Sequence, residues 1–220
     1  MAHFGTTAAG EAVEAITLRA GDLTATILTW GAVLQSLRLK DIPHDLTLGS
    51  QTLADYEGPL RYHGSIIAPV VNRLSHAQAP LNDETLHFQV NFNDQHTLHS
   101  GDAGTHLKVW DILHQSQSEC LLALTLPHNE GGFPGNRRIT AQFQAEAPAT
   151  LRLTITTQTD ADTLLNATNH SYWNLDGSKD FAGHSLQITA DHYLPATPEF
   201  IPTGEIRATS GMFDFRNLKA

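Results

Sequence analysis

Residues 138–156 read RITAQFQAEAPATLRLTIT, and this stretch decides the fold class. Every second residue of its first half is apolar: Ile139, Ala141, Phe143 and Ala145. After the break APAT, the same period of two returns at Leu151, Leu153 and Ile155. Because successive side chains of a strand point to opposite faces, the pattern predicts a hairpin with one buried face.

Six further runs, separated by Gly, Pro, Asn and Asp residues that favour turns, predict strands. They are AITLRA (15–20), LTATILTW (23–30), VLQSLRLK (33–40), DLTLG (45–49), ECLLALTLP (119–127) and HSLQITA (184–190). Only TLADYEG (52–58) suggests a helical turn. The sequence therefore predicts an all-β fold, a large antiparallel β-sandwich, as one domain over residues 1–220 rather than a parallel α/β fold.

Composition excludes several classes of protein. The 220 residues are 40% hydrophobic and 16% charged, as expected of a globular protein. A formal net charge of −10 repels phosphate backbones and anionic lipid, so we expect no nucleic-acid or membrane partner. The single cysteine, Cys120, excludes an internal disulfide, and the amino terminus lacks a secretory signal. These features predict a soluble, cytoplasmic protein.

Polar residues able to do chemistry are concentrated in three places. The stretch from Tyr56 to Leu81 is poor in alternation and predicts a long functional loop, in which VVNRLS (70–75) carries Asn72 and Arg73. The second and third places, DQHTLHSGDAGTH (94–106) and ATNHSYWNL (167–175), carry His96, His99, His106, Asn169 and His170. Among thirteen histidines, most are expected to be surface or hydrogen-bonded core residues.

Five motifs together resemble a known family. VVNRLS (70–75), TLHSG (97–101), TNHSYWNL (168–175), HYLPATPEFIPTGEI (192–206) and FDFR (213–216) occur in the order and at the separations found in the aldose 1-epimerase (galactose mutarotase) family. The resemblance covers nearly the whole chain. It implies the galactose mutarotase-like supersandwich, a large antiparallel β-sandwich with the sugar site on one sheet face, which agrees with the alternation.

The resemblance also implies roles for individual residues. His170 corresponds to the catalytic proton donor to the ring oxygen of the sugar. His99 belongs to the catalytic site as well and contacts the sugar near that oxygen. Asn72 and Arg73 correspond to the pair that binds sugar hydroxyls. The implied activity is interconversion of α and β anomers of aldohexoses such as galactose and glucose, with no metal or organic cofactor.

These residue types suit the chemistry of ring opening. A base must take the proton of the C1 hydroxyl while an acid protonates the ring oxygen, and histidine is an effective acid near neutral pH. Arginine and asparagine bind hydroxyl groups through directional hydrogen bonds. Tyr172 and Trp173 are aromatic and suited to stacking on a sugar face, but we expect them to pack in the core.

Two departures from the family pattern bear on activity. Residues 68–71 read APVV where the family commonly has Gly-Arg-Tyr-Ala, so one basic group is absent and we expect a change at the rim of the site. Family members also continue past the FDFR motif, in a segment that carries the general-base glutamate and a sugar-binding aspartate. We therefore expect a sandwich incomplete at its C-terminal end, and we assign the base to none of four glutamates: Glu57, Glu84, Glu130 and Glu205.

Three hypotheses of function follow. The first is an aldose 1-epimerase, with this sequence either a truncated product or a variant whose base comes from elsewhere. The second is a non-catalytic sugar-binding or regulatory module that retains Arg73, His99 and His170. The third is a metal-dependent enzyme using His96, His99 and His106, which is disfavoured because a spacing of three on a strand points His96 and His99 to opposite faces. Self-association through uncovered sheet edges is a further hypothesis.

Overall fold

The computed structural model describes residues 1–219, which form antiparallel strands with little helix. The strands are β1 (Ala2–Thr6), β2 (Ala12–Ala20), β3 (Leu23–Leu28), β4 (Leu34–Leu39), β5 (Ile66–Ile67), β6 (Arg73–Leu74), β7 (Gln78–Leu81), β8 (Glu84–His87), β9 (Thr97–Leu98), β10 (Asp111–Gln115), β11 (Glu119–Leu126), β12 (Arg137–Glu146), β13 (Thr150–Thr159), β14 (Thr168–Asn169), β15 (His192–Tyr193) and β16 (Arg207–Ala208). One α-helix, α1, spans Leu53–Glu57. Short 3-10 turns occupy Ser75–Ala77, Gly101–Ala103, Thr105–Leu107, Glu130–Gly132 and Gly211–Phe213. Within the described residues, no helix has the length and apolar character needed to cross a bilayer.

The predicted hairpin is formed by β12 and β13. Their register runs without a bulge from Arg137 opposite Thr159 to Glu146 opposite Thr150. Strand β12 also pairs with β11, and β11 with β10, which gives a four-stranded sheet in the order β10-β11-β12-β13. The alternation that predicted the hairpin is visible in the burial of β12, whose apolar side chains are buried while the intervening ones are at least partly exposed.

The second large sheet is a meander of β1, β2, β3 and β4. Its inward face packs on the inward face of the β10–β13 sheet, so that one apolar core lies between them. The contributors that are at most 1% exposed include Ile16, Leu18, Ile27, Leu122, Ile139 and Phe143. Full burial of one such side chain contributes about 1.5–3 kcal/mol. Two antiparallel sheets with a shared core confirm the predicted β-sandwich.

Two predicted strands are wrong. In 45–49 only Thr47 pairs, as an isolated bridge to Trp173, and in 184–190 only Leu186 pairs, with Lys219. Both segments alternate suitably and make a few backbone hydrogen bonds, the first to 172–174 and the second to 215–219, but neither forms the consecutive bridges of a strand ladder. The sequence analysis also missed edge strands β1 and β10.

The outer edge of the β10–β13 sheet is β13, which pairs only with β12 among the described residues. Its inward side chains, Leu151, Leu153 and Ile155, are only half-buried. Leu151 and Leu153 border a largely apolar groove of about 350 Å³ that Trp173 also lines. The core is therefore open to solvent along this edge.

The predicted loop from Tyr56 to Leu81 contains three short strands, β5, β6 and β7, and is not a continuous loop. Strand β5 pairs with β14, and β6 pairs with β9. These two-residue ladders bring together three segments that are far apart in the sequence.

Candidate active site

A cleft lies where these short ladders meet. In the β6–β9 pair, Arg73 is opposite Leu98, which places Asn72 beside His99. In the β5–β14 pair, Asn169 is opposite Ile66, and His170 follows directly. The cleft has a volume of about 650 Å³, within the range of about 300–1,000 Å³ typical of small-ligand sites. Asn72, Arg73, His99 and His170, the four predicted site residues, all line it.

His99 is fixed by a reciprocal pair of hydrogen bonds with Asn72. The His99 backbone N–H donates to the Asn72 carbonyl at 2.9 Å, and the Asn72 backbone N–H donates to His99 Nδ1 at 3.0 Å. Both residues have left-handed backbones, with φ of 65° at Asn72 and 53° at His99. Because Nδ1 accepts a hydrogen bond, the proton of the neutral ring must be on Nε2.

Burial lowers the pKa of His99 to about 4, with smaller contributions from His170 and Arg73. The charged imidazole would lose its hydration in this position, where the ring is almost entirely covered. His99 is therefore neutral near pH 7, and its Nε2–H is a hydrogen-bond donor.

His170 has a fixed backbone and an unengaged ring. Its N–H donates to the Ser65 carbonyl at 2.9 Å, and its carbonyl accepts from the Gly64 N–H at 3.1 Å. The preceding Asn169 side chain donates to the Gly64 carbonyl at 2.8 Å. The half-buried ring makes no side-chain hydrogen bond to any residue in 1–219 and is free to contact a ligand. Its centroid is 5.2 Å from that of His99.

Arg73 is oriented by its neighbour in the chain. Its Nη1 donates to the Asn72 side-chain oxygen at 2.7 Å. Asn72 therefore supports the site twice, with its backbone N–H at His99 and with its side chain at Arg73.

Several aromatic residues around the cleft were missed or misjudged from the sequence. The Tyr62 ring centroid lies 4.7 Å from that of His99 and 6.0 Å from that of His170. Tyr172, expected in the core, lines the cleft, and Trp173 is half-exposed, so the expectation of core packing for both is wrong. The two tyrosines carried no local signal beyond their proximity to the histidine motifs.

His106 lies behind Tyr62 and outside the cleft lining. Burial lowers its pKa to about 3, with further lowering by the nearby charges of His99, Arg61 and His170. His106 is thus a second neutral, buried imidazole next to the site.

The three-histidine metal hypothesis is not supported by the geometry. His96 Nδ1 accepts the His76 backbone N–H at 3.0 Å, and its Nε2 is 3.4 Å from a Glu199 oxygen. His99 Nδ1 is engaged by Asn72. Among residues 1–219, no three His, Cys, Asp or Glu side chains are grouped so that they could hold a metal ion.

The lining of the cleft, as far as the described chain forms it, contains no aspartate or glutamate. The glutamates considered as bases all lie elsewhere: Glu57, Glu84, Glu130 and Glu205. Glu130 is paired with Lys108 at 2.6 Å, and Glu205 contacts Arg207.

The departure at residues 68–71 places mostly buried residues behind the cleft. Ala68 is fully buried, and Val70 exchanges hydrogen bonds with the Ser100 hydroxyl at 2.8 and 3.0 Å. Only Val71 of the four residues lines the cleft. The expected change at the rim stays a prediction.

Comparison with known proteins gives a consistent result. The sequence model of a family described as Aldose 1-epimerase matches residues 14–220. The aldose 1-epimerase of Escherichia coli K12 is 31% identical over 217 residues, which cover 96% of this chain and 62% of that protein. The galactose mutarotase of Rattus norvegicus is 31% identical over 213 residues, covering 94% and 61% respectively. The chain thus spans about three fifths of the length of these relatives.

Solved structures show the same likeness. An aldose epimerase homologue from C. elegans superposes with a TM-score of 0.89 at 30% identity, covering 94% of this chain and 65% of that one. A galactose 1-epimerase from Lactobacillus acidophilus superposes with a TM-score of 0.85 at 25% identity, covering 99% and 65%.

Proposed function

This chain belongs to the aldose 1-epimerase family, and we propose that its cleft binds an aldohexose such as galactose or glucose and supplies the acid side of anomer interconversion. The observation that carries the proposal is the convergence of Arg73, His99 and His170 on one cleft. The centroids of the two imidazoles are 5.2 Å apart, a distance that one pyranose ring, about 5 Å across, can bridge.

His170 is the proposed proton donor. Opening the sugar ring requires a proton on the ring oxygen as the C1–O bond breaks, and an imidazole performs this step well near neutral pH. The His170 ring is accessible from the cleft and has no competing hydrogen bond within residues 1–219. Its fixed backbone keeps the donor in place during the reaction.

His99 has a different proposed role. Its lowered pKa and its bond from Asn72 leave a neutral ring with an Nε2–H donor. Such a group donates a hydrogen bond near the ring oxygen and keeps its own proton. Arg73 and Asn72 bind hydroxyl groups of the sugar, where charged donors add about 1.5–3 kcal/mol per bond.

The absence of a carboxylate from the described lining favours a second candidate, a sugar-binding module with little turnover. Removal of the C1 hydroxyl proton needs a base, and the two neutral, buried histidines are weak ones. Both candidate functions use the same binding site and differ only in the rate of anomer interconversion.

Titration of the 220-residue chain with D-galactose and D-glucose, followed by NMR, tests the proposed site. We expect saturable binding that Arg73→Ala weakens about tenfold, since a charge-assisted bond is lost. His87→Ala, which removes an exposed histidine outside the cleft, is the matched control and should leave affinity unchanged. Absence of binding, or equal loss in both variants, contradicts the proposal.

A further inference from the structure

The guanidinium of Arg73 packs against two aromatic rings. Its Cζ is 4.3 Å from the centroid of the Phe92 ring and 5.0 Å from the centroid of the Phe200 ring. The two phenylalanines are more than a hundred residues apart in sequence. Phe200 lies in the motif at 192–206, but no site residue was assigned there, and Phe92 lies in none of the five motifs. A cation over an aromatic face is attracted by the negative potential of the ring.

Glu199 fastens the two ring-bearing segments together. One carboxylate oxygen accepts from the Gln95 side-chain amide at 3.0 Å, and the other is 3.4 Å from His96 Nε2. Since His96 Nδ1 accepts a backbone N–H, its Nε2 carries the proton and donates to Glu199. His96 is in turn bonded through its backbone to Phe92 in both directions, at 3.0 and 2.9 Å.

Burial of apolar surface does not account for the position of Phe200. Its side chain is 61% exposed, and its backbone has a φ of 63°, a conformation that costs energy for a bulky residue. This conformation closes a turn in which the Phe200 N–H donates to the Thr197 carbonyl at 2.9 Å, and the turn presents the Phe200 ring to Arg73.

The arrangement leaves the terminal N–H groups of Arg73 usable, whereas its Nε–H is buried without a partner within the described residues. The N–H groups of a guanidinium lie in its plane, whereas aromatic rings cover its faces. Ring contacts therefore hold the group without consuming its donors, and of its side-chain nitrogens only Nη1 is bonded within the described residues.

We propose that Phe92 and Phe200 are positioning residues that hold Arg73 ready for sugar hydroxyls, with Glu199 closing the clamp. This inference rests on the proposed sugar-binding function. It assigns a purpose to a loop, residues 199–200, that lies outside the cleft lining.

The test compares Phe200→Leu with Phe200→Tyr in the galactose titration. Leucine keeps apolar bulk but has no ring face, so we expect affinity to fall about three- to fivefold, whereas tyrosine should retain it. In an Arg73→Lys background, which lacks a planar group to hold, Phe200→Leu should change affinity less than twofold. Phe181→Leu, at an exposed ring outside the clamp, is the matched control.

The outcomes separate the two proposals. A wild-type chain that binds no sugar overturns the proposed function. Wild-type binding with equal affinity in Phe200→Leu overturns the clamp alone, as does an equal loss in the wild-type and Arg73→Lys backgrounds. If a variant fails to fold, the wild-type protein still tests the clamp. The ring currents of Phe92 and Phe200 must shift the NMR signals of the Arg73 Hδ protons upfield, and unshifted signals contradict the clamp.

Discussion

The imidazole rings of His99 and His170 meet edge to face, with 5.2 Å between centroids and an interplanar angle of 90°. Their surroundings differ. His99 is buried with Nδ1 engaged by Asn72, whereas the His170 ring has no hydrogen bond within residues 1–219. One ring is thus suited to hold a fixed hydrogen bond and the other to exchange a proton.

Catalysis by the isolated 220-residue chain should be weak. Loss of one member of an acid–base pair costs about 10²–10⁴ in rate, and no carboxylate lines the cleft within the described chain. Polarimetry on freshly dissolved α-D-galactose should show mutarotation little above the spontaneous rate, and His170→Ala should hardly change it. Brisk catalysis that His170→Ala abolishes would mean that the 220 residues contain a base.

Stability should fall with acidification below about pH 6.5. The folded-state pKa values of His99 and His106, about 4 and about 3, lie below the ordinary value of 6.5. Between these limits the unfolded chain binds protons that the folded chain does not, so each histidine removes up to about 1.4 kcal/mol per pH unit as pH falls. Both contributions are fully present above pH 6.5.

Denaturant unfolding at a series of pH values measures this slope. His106→Gln removes one of the two contributions and should flatten the profile between pH 6 and pH 4. An unchanged profile in that variant would contradict a buried, neutral His106.

Two substitutions of Asn72 test the role of its backbone conformation and the role of its side chain separately. Both Asn72→Gly and Asn72→Ala remove the acceptor that orients Arg73, so both should weaken galactose binding to a similar extent. Of the two substituted residues, only glycine adopts a φ of 65° without strain, so the Asn72→Ala variant should be less stable than the Asn72→Gly variant by about 1 kcal/mol. Equal stability by urea unfolding would show that the left-handed backbone is not required.

Strand β13 should mediate self-association. Antiparallel pairing of two copies centred on Thr154 places Arg152 opposite Thr156 and Leu153 opposite Ile155, so no like charges face each other and the apolar faces are continuous. We expect dimers at tens of micromolar by sedimentation velocity. Thr154→Lys sets two ammonium groups opposite each other and should yield monomers.

The control for that experiment is Thr140→Lys, which adds the same charge on the same sheet face but on the inner strand β12. It should remain dimeric. A monomeric wild type, or equal dissociation of both variants, would rule out pairing through β13.

The sequence predicted what local periodicity determines. Residues 138–156 alternate strongly enough to predict β12 and β13, and 52–58 predicted α1. The alternation at 184–190 wrongly predicted a strand, because alternation does not reveal whether a neighbouring segment pairs over several consecutive residues.

The four site residues were found through motif resemblance, yet the features that support them were not. The left-handed backbones of Asn72 and His99, and the rings of Phe92 and Phe200 around Arg73, depend on contacts between distant segments. No local pattern encodes such contacts.

The ladders that assemble the cleft are two residues long, whereas β12 and β13 share ten paired positions. Short ladders open at low free energy, so the strand pairs that form the cleft can open transiently while the sandwich stays folded. The amide protons of His99 and His170, which donate across these two pairs to the Asn72 and Ser65 carbonyls, should exchange with solvent well before those of β12. The measured sugar affinity is then reduced by the free energy needed to close these ladders. A bound sugar favours the closed cleft, and it slows amide exchange in the ladders by the same factor.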